Sequence, residues 1–369
     1  MDCIVIGAGI MGLLTARELA QSDLKVCVLD QSAVGRESSW AGGGILSPLY
    51  PWRYSEPVQL LAKWSQQAYP GLVSTLYQDT NVDPERRDSG LLILSDNEIT
   101  EAQSWAASYP MNLEILTQAQ LGSLAQGLSP ELISQFKKSL WFPDIGQVRN
   151  PCLVKALKQD LLQRGVEIRE QTQVKSLLIY KDKIKGVQTQ TGKIEADAVV
   201  ACSGAWTHDL LQDTNFEVNV QPVKGQMLMY KAEPHVLSQI ILTGDRYVIP
   251  RRDGRILIGS TLEYTGFDKS TSQQANEDLQ AAACRIIPEL ANYPVERHWA
   301  GLRPGTPDGV PYIYADENIE GLFVNSGHFR NGVVLAPAST RLVADLVLKR
   351  EPIINPDLYR LNTAETLDS

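Results

Sequence analysis

Histidine and cysteine are scarce in this sequence, and neither is grouped. The histidines, His208, His235, His298 and His328, are scattered, and the cysteines at 3, 27, 152, 202 and 284 form no CxxC pair. The pattern offers no zinc site and no disulfide framework, so no metal is expected. Cys3, Cys27 and Cys202 lie in or beside strand-like runs and read as small core residues. Basic runs are missing too: the formal net charge is -9 and the pI about 5.1, which argues against nucleic acid as a partner. No apolar stretch reaches the roughly eighteen residues that cross a bilayer. The first motif begins at Cys3, leaving no room ahead of it for a signal peptide, and a cytoplasmic enzyme is the expectation. Apolar content is an ordinary 43%, and 369 residues suffice for two domains or one large one.

The N-terminal thirty residues organise the rest. Cys3-Ile4-Val5-Ile6 is an apolar run of strand length that feeds Gly7-Ala8-Gly9-Ile10-Met11-Gly12, a helical pattern through Ala20, and a second apolar run, Val26 to Leu29, ending in Asp30. This is the βαβ dinucleotide-binding fingerprint. Gly7 permits the tight turn, Gly9 lets backbone approach a pyrophosphate, Gly12 allows close packing of helix on strand, and Asp30 is placed to accept from ribose hydroxyls. The helix N-terminus, with its unpaired N–H groups, favours the phosphates.

A glycine-rich crossing follows from Gly35 to Leu46, with Ser38, Ser39, Ala41, Gly42 and Gly43. Its hydroxyls and exposed amides suit a loop that passes close to a large cofactor, and where a nicotinamide enzyme would proceed to another βα unit, such a crossing favours FAD. Residues 55–80 read as an amphipathic helix, and helices are expected over 97–108, 117–125, 152–164 and 274–287. A buried strand, Ala196 to Cys202, delivers Gly204 and Trp206 to the same sheet edge as Gly7; Trp206 serves equally as a core cap or a cofactor contact. Arg252-Asp253-Gly254 between apolar runs signals a hairpin, and Pro337 fits the first turn of the last helix. The fold class expected is α/β: a Rossmann-type FAD-binding domain (1–80, 141–220 and 301–369) with a second, mixed-sheet α+β substrate domain (81–140 and 221–300).

Taken together, the N-terminal fingerprint, Arg36 to Leu46, Val200 to Trp206, Pro222 to Met227, Arg246 to Pro250, Trp299 to Gly309 and Gly327 to Pro337 resemble the FAD-dependent amino acid oxidases of the D-amino acid oxidase type, and within them most closely the bacterial glycine oxidases. The resemblance covers nearly the whole chain. It implies noncovalent FAD, hydride transfer from a small amino acid or amine, reoxidation by O2 to hydrogen peroxide, imine hydrolysis to glyoxylate and ammonia, a link to the thiazole of thiamine, and a homo-oligomer. Residue by residue, Arg303 matches an arginine that pairs with the substrate carboxylate and Tyr247 a tyrosine that reaches the same group. Arg330 and His328 match residues beside the flavin, and Asn331, Gly332 and Val333 offer backbone to its pyrimidine edge. Gly7, Gly9, Ile10, Met11, Gly12, Asp30, Gln31, Ser38, Ser39, Ala41, Gly42, Gly43, Val174, Gly204, Trp206 and Arg303 complete the expected cofactor contacts. Tyr247, Arg303 and Arg330 are the expected catalytic residues, and Leu262 joins them in substrate binding. On its own, Arg303 serves equally as half of a structural ion pair and Tyr247 as packing. No general base is required, since a neutral amine can pass its α-hydrogen as hydride once it is oriented.

Asp30 stands where the family often has Glu. Leu262 and Tyr264 depart from glycine-specific members, which leaves sarcosine, small D-amino acids or another small amine as substrates beside glycine. Two other readings compete with the oxidase: a dehydrogenase of the same fold that hands electrons to a quinone or protein carrier, and a silent nucleotide-binding module. The joint presence of Tyr247, Arg303 and Arg330 argues against the last.

Overall fold

The computed structural model of the protein describes residues 1–109, 111–212, 214 and 218–360; the end of the expected third FAD segment, 361–369, lies outside them. The fingerprint strand Cys3–Ile6 sits inside a six-stranded sheet ordered Tyr312–Ala315, Leu322–Ser326, Ala198–Ala201, Cys3–Ile6, Val26–Leu29, Glu167–Arg169. Neighbours are parallel except at the edge, where Tyr312–Ala315 runs antiparallel. Every residue of Cys3–Ile6 is buried, as a strand covered on both faces demands. Alternation still sorts its side chains. Cys3 and Val5 pack with the helices Ile10–Ala20, Glu56–Thr80, Asn150–Gln163 and Gly332–Val347. Ile4 and Ile6 face the meander Val174–Tyr180, Lys183–Thr189, Gly192–Glu195 through Ile184 and Val187.

The second sheet has eight strands ordered Val295–Gly305, Gln221–Lys231, Arg255–Gly259, Arg246–Pro250, Ile240–Thr243, Leu91–Leu94, Lys138–Phe142, Glu114–Thr117. Its strands therefore come from 91–142 and from 221–305, joined by the parallel pairing of Leu91–Leu94 with Ile240–Thr243. One face, with Leu228, Val248 and Ile258, packs on the helix Gln273–Ile286. The other gathers Met227, Tyr247, Ile249 and Leu257. The Asp253-Gly254 signal does close a hairpin, with Gly254 at φ +86. The α/β plan with a second, mixed sheet is thus the observed architecture.

One expectation needs correction. Pro337 lies inside the helix Gly332–Val347, beyond its first turn. The proline has no N–H for the carbonyl of Val333 one turn back. That carbonyl is taken instead by the buried Tyr69 hydroxyl, and the Ala338 N–H is received by Ser65 Oγ at 2.9 Å. Ser65 and Tyr69 stand one turn apart on Glu56–Thr80, so a neighbouring helix repairs the interruption. Tyr69→Phe leaves the Val333 carbonyl without its partner; we predict a loss of about 1–3 kcal/mol in unfolding free energy, read from denaturant titration of the holoprotein, and an unchanged midpoint would contradict this account.

Candidate active site

A cleft runs along the carboxyl ends of the parallel strands and under the second sheet. At its first end the fingerprint does what its glycines require. A Cβ on Gly7, at φ +104, would lie 2.4 Å from the Cys202 carbonyl oxygen, and one on Gly12 1.8 Å from the Gly7 oxygen. Asp30 is held in place by the protein: Oδ2 accepts the Ala8 N–H at 2.7 Å, while Oδ1 accepts from the Ser32 N–H and hydroxyl at 2.8 and 3.0 Å. The helix Ile10–Ala20 begins at Gly9, which offers no side chain to cap it, and has no acid in its first turn; of its first amides, Ile10 N–H is taken by Ser39 Oγ from the neighbouring loop. The helix Gly332–Val347 begins at Asn331 with no side-chain cap and no acid in its first turn. Both leave their positive dipole ends available to electron-rich groups in the cleft.

The glycine-rich crossing is fixed mainly through its carbonyls. Trp299 Nε1 donates to Ala41 O at 3.1 Å, Asn150 Nδ2 to Ser39 O at 2.9 Å, Arg251 Nη2 to Gly43 O at 2.8 Å, and the Val148 N–H to Gly44 O at 2.9 Å. The Ser38 hydroxyl donates to Leu302 O, and Ser39 Oγ accepts the Ile10 N–H at 2.8 Å, tying loop to fingerprint helix. Arg251 is almost wholly buried, and that burial pulls its pKa down from 12.5 to about 10. It bonds only neutral oxygens here, with Gln147 Oε1 at 2.6 Å and Val148 O at 3.0 Å besides Gly43.

At the other end stands Arg303. It rises from the strand Val295–Gly305, and its guanidinium crosses the neighbouring strand at Gly225 to reach the one beyond. A Cβ on Gly225 would sit 2.0 Å from Arg303 Nη2 and 2.2 Å from Nη1. Nη2 donates to Ser260 Oγ at 2.7 Å, and Nη1 to the carbonyls of Lys224 and Thr261 at 3.3 Å each. All three acceptors are neutral. The adjacent Lys224, by contrast, is answered by Asp268 at 2.8 Å and Glu263 at 3.4 Å. Burial holds the Arg303 pKa below its ordinary value, and the neighbouring Arg330 charge acts in the same direction. Tyr247 lies beside it, its hydroxyl donating only to Met227 Sδ at 3.6 Å. Gly259 makes room for that ring, since a Cβ there would fall 2.7 Å from Tyr247 Oη. His328 is enclosed, and burial alone lowers its pKa to about 3, so it stands neutral near pH 7.

Of the residues expected at the site, Gly7, Gly9, Ile10, Met11, Asp30, Gln31, Ser38, Ser39, Ala41, Gly42, Gly43, Val174, Gly204, Trp206, Tyr247, Arg303, His328, Arg330, Asn331, Gly332 and Val333 all line this one cleft. Gly12 lies behind it, between helix and strand. Leu262, expected from the resemblance to bind substrate, does not line it: the chain has left the strand Arg255–Gly259, and Leu262 turns out to 45% exposure. Trp206 lines the cleft and also stacks on Phe267 at 5.4 Å between ring centroids. Residue-level reading missed Ser260, Gly225 and Arg251. A glycine within an otherwise bulky strand signals a close approach, and Gly225 carried that signal unread.

FAD can be tested against these residues directly. The uncapped helix ends and the close-approach glycines suit its phosphates and backbone contacts. His328 Nε2 and Asn325 Oδ1, buried along the cleft without protein partners, are polar atoms that a bound heterocycle would satisfy. Comparison with known proteins agrees, as the family model described as DAO, FAD dependent oxidoreductase, matches residues 2–346. The chain belongs to the FAD dependent oxidoreductase (DAO) family. It is an FAD-dependent enzyme of the amino acid oxidase kind. Among curated relatives, it is 47% identical to a glycine oxidase of Pseudomonas aeruginosa, with 96% of this chain and 97% of that protein covered. It is 32% identical to the bifunctional protein ThiO/ThiG of Synechocystis, covering 96% of this chain and 53% of that protein. Among solved structures, glycine oxidase from Geobacillus kaustophilus superposes with a TM-score of 0.92 at 28% identity, over 98% of both chains.

In this DAO-family enzyme Gly225→Ala is predicted to expel the Arg303 guanidinium from its slot while leaving the flavin in place. Affinity for small carboxylates should fall by roughly tenfold or more, the loss of a charge-assisted bond, measured from perturbation of the flavin spectrum; retained affinity would mean that the guanidinium does not need the slot.

Proposed function

We propose that the enzyme oxidises glycine, and with it sarcosine and small D-amino acids, by hydride transfer, and that O2 is the electron acceptor. The observation that carries this reading is Arg303, a half-buried guanidinium whose bonded partners are all neutral oxygens. Three of its five N–H donors are used by the protein, leaving two for a ligand. A carboxylate is the group that best answers such a charge. The Tyr247 hydroxyl donates only into a weak thioether contact and is free to exchange it for a carboxylate oxygen.

FAD, when bound, supplies the two-electron acceptor. The residues of the chain bind and orient. With the carboxylate on Arg303 and Tyr247, the α-carbon of a small amino acid is held at a fixed distance from the wall formed by His328, Arg330 and Asn331. The Arg330 guanidinium and the neutral His328 imidazole make that wall hostile to an ammonium, so the substrate amine is held as the free base whose lone pair drives hydride departure. The amine loses hydride and a proton to become the imine; water converts glycine's imine to glyoxylate and ammonia; O2 takes two electrons and two protons to become hydrogen peroxide. The names of the glycine oxidase and ThiO/ThiG relatives support glycine as substrate and supply of the imine to thiamine thiazole synthesis.

Arg303→Ala is the direct test. kcat/KM for glycine should fall by roughly a hundredfold or more, about 3 kcal/mol, while FAD content and visible spectrum persist. Loss of flavin in place of substrate affinity would mean that Arg303 belongs to the cofactor.

A further inference from the structure

We propose that Ser260 is a positioning residue for the substrate carboxylate, acting by fixing the rotation of the Arg303 guanidinium. The inference rests on the reading of Arg303 given above and extends it to a residue outside the motifs that carry the family resemblance. Ser260 is 2% exposed and lines the cleft. Its Oγ accepts from Arg303 Nη2 at 2.7 Å, against 3.3 Å for each backbone carbonyl on Nη1. It is the shortest of these three hydrogen bonds and, unlike the two carbonyls, comes from a side chain. The two carbonyls restrain Nη1 alone, so without the hydroxyl the planar group is free to swing about that edge, and a planar fork binds a carboxylate well only when its plane is set.

The backbone at Ser260 is itself held, because its carbonyl accepts from Arg246 Nη1 at 3.0 Å. Removing the hydroxyl therefore deletes the anchor without releasing the strand. Ser260 also keeps a proton to give after accepting from Arg303. Since the residue lines the cleft, that O–H is available to the same carboxylate.

The test compares wild type, Ser260→Ala and Ser260→Thr holoenzymes. The probe is glycolate, which carries glycine's carboxylate with a hydroxyl in place of the amine. Ser260→Ala should bind glycolate about five- to twentyfold more weakly, with the KM for glycine raised by a similar factor, kcat changed by less than about threefold, and FAD content unchanged. Ser260→Thr should restore glycolate affinity to within about threefold. The proposal is overturned if Ser260→Ala binds glycolate as wild type does, or if both variants lose flavin or kcat together. Failure of wild type to bind glycolate would instead overturn the carboxylate reading of Arg303, and Ser260's role with it.

Discussion

A half-buried guanidinium held among neutral oxygens is an unfinished interaction. Burial disfavours its charge, the nearby Arg330 adds repulsion, and the three protein acceptors of Arg303 offer dipoles where a counter-ion is needed. The fold spends much of its local detail on keeping that charge where it is. Gly225 yields the space, Ser260 and two carbonyls set the plane, and Lys224, the neighbouring cation, is given its own carboxylates so that it does not compete. A small anion entering the cleft completes the site.

The same logic runs along the cofactor cleft. Two helices open onto it without a capping side chain at their N-cap residues, and the glycine-rich loop has its carbonyls claimed from behind by Trp299, Asn150, Arg251 and Val148. All four anchors come from outside the first sheet's strands, and two of them, Trp299 and Arg251, come from a strand of the second sheet and from the residue just past another, so the second sheet helps to shape the surface offered to the cofactor. Even the last helix, whose start reaches the cleft, depends on Tyr69 and Ser65 of a distant segment to tolerate Pro337. Cofactor cleft and substrate wall are one cooperative unit.

Much of this was legible in the residues. Strand, glycine turn, helix and acid in register identify the dinucleotide half, because each glycine answers a local backbone demand. The hairpin at Asp253-Gly254 and the long helix over 56–80 follow from turn chemistry and periodicity. Arg303 and Tyr247 came from family resemblance, since periodicity alone left each an ordinary alternative. Ser260 and Gly225 were not legible in that way: their meaning depends on strand neighbours brought together from 221–231, 255–260 and 295–305, and no local pattern announces that a side chain will cross one strand to bond the next. Leu262 comes from the resemblance alone, and it stands past the end of the strand Arg255–Gly259, where the chain turns its side chain outward. Pro337 suits a helix's first turn by its own chemistry, and only the neighbouring helix, through Tyr69 and Ser65, lets it stand further in.

The central claim is that a small amino acid, captured by its carboxylate, reduces the flavin, and that O2 restores it. The most direct measurement mixes the purified holoenzyme anaerobically with glycine, sarcosine and D-alanine in turn, follows the visible flavin absorbance, and then admits air. The account predicts bleaching with at least glycine, followed by prompt recolouring with hydrogen peroxide formed in proportion. Bleaching that persists in air would contradict the oxidase assignment and indicate a dehydrogenase with another acceptor, and no bleaching by any of the three would contradict the substrate assignment itself.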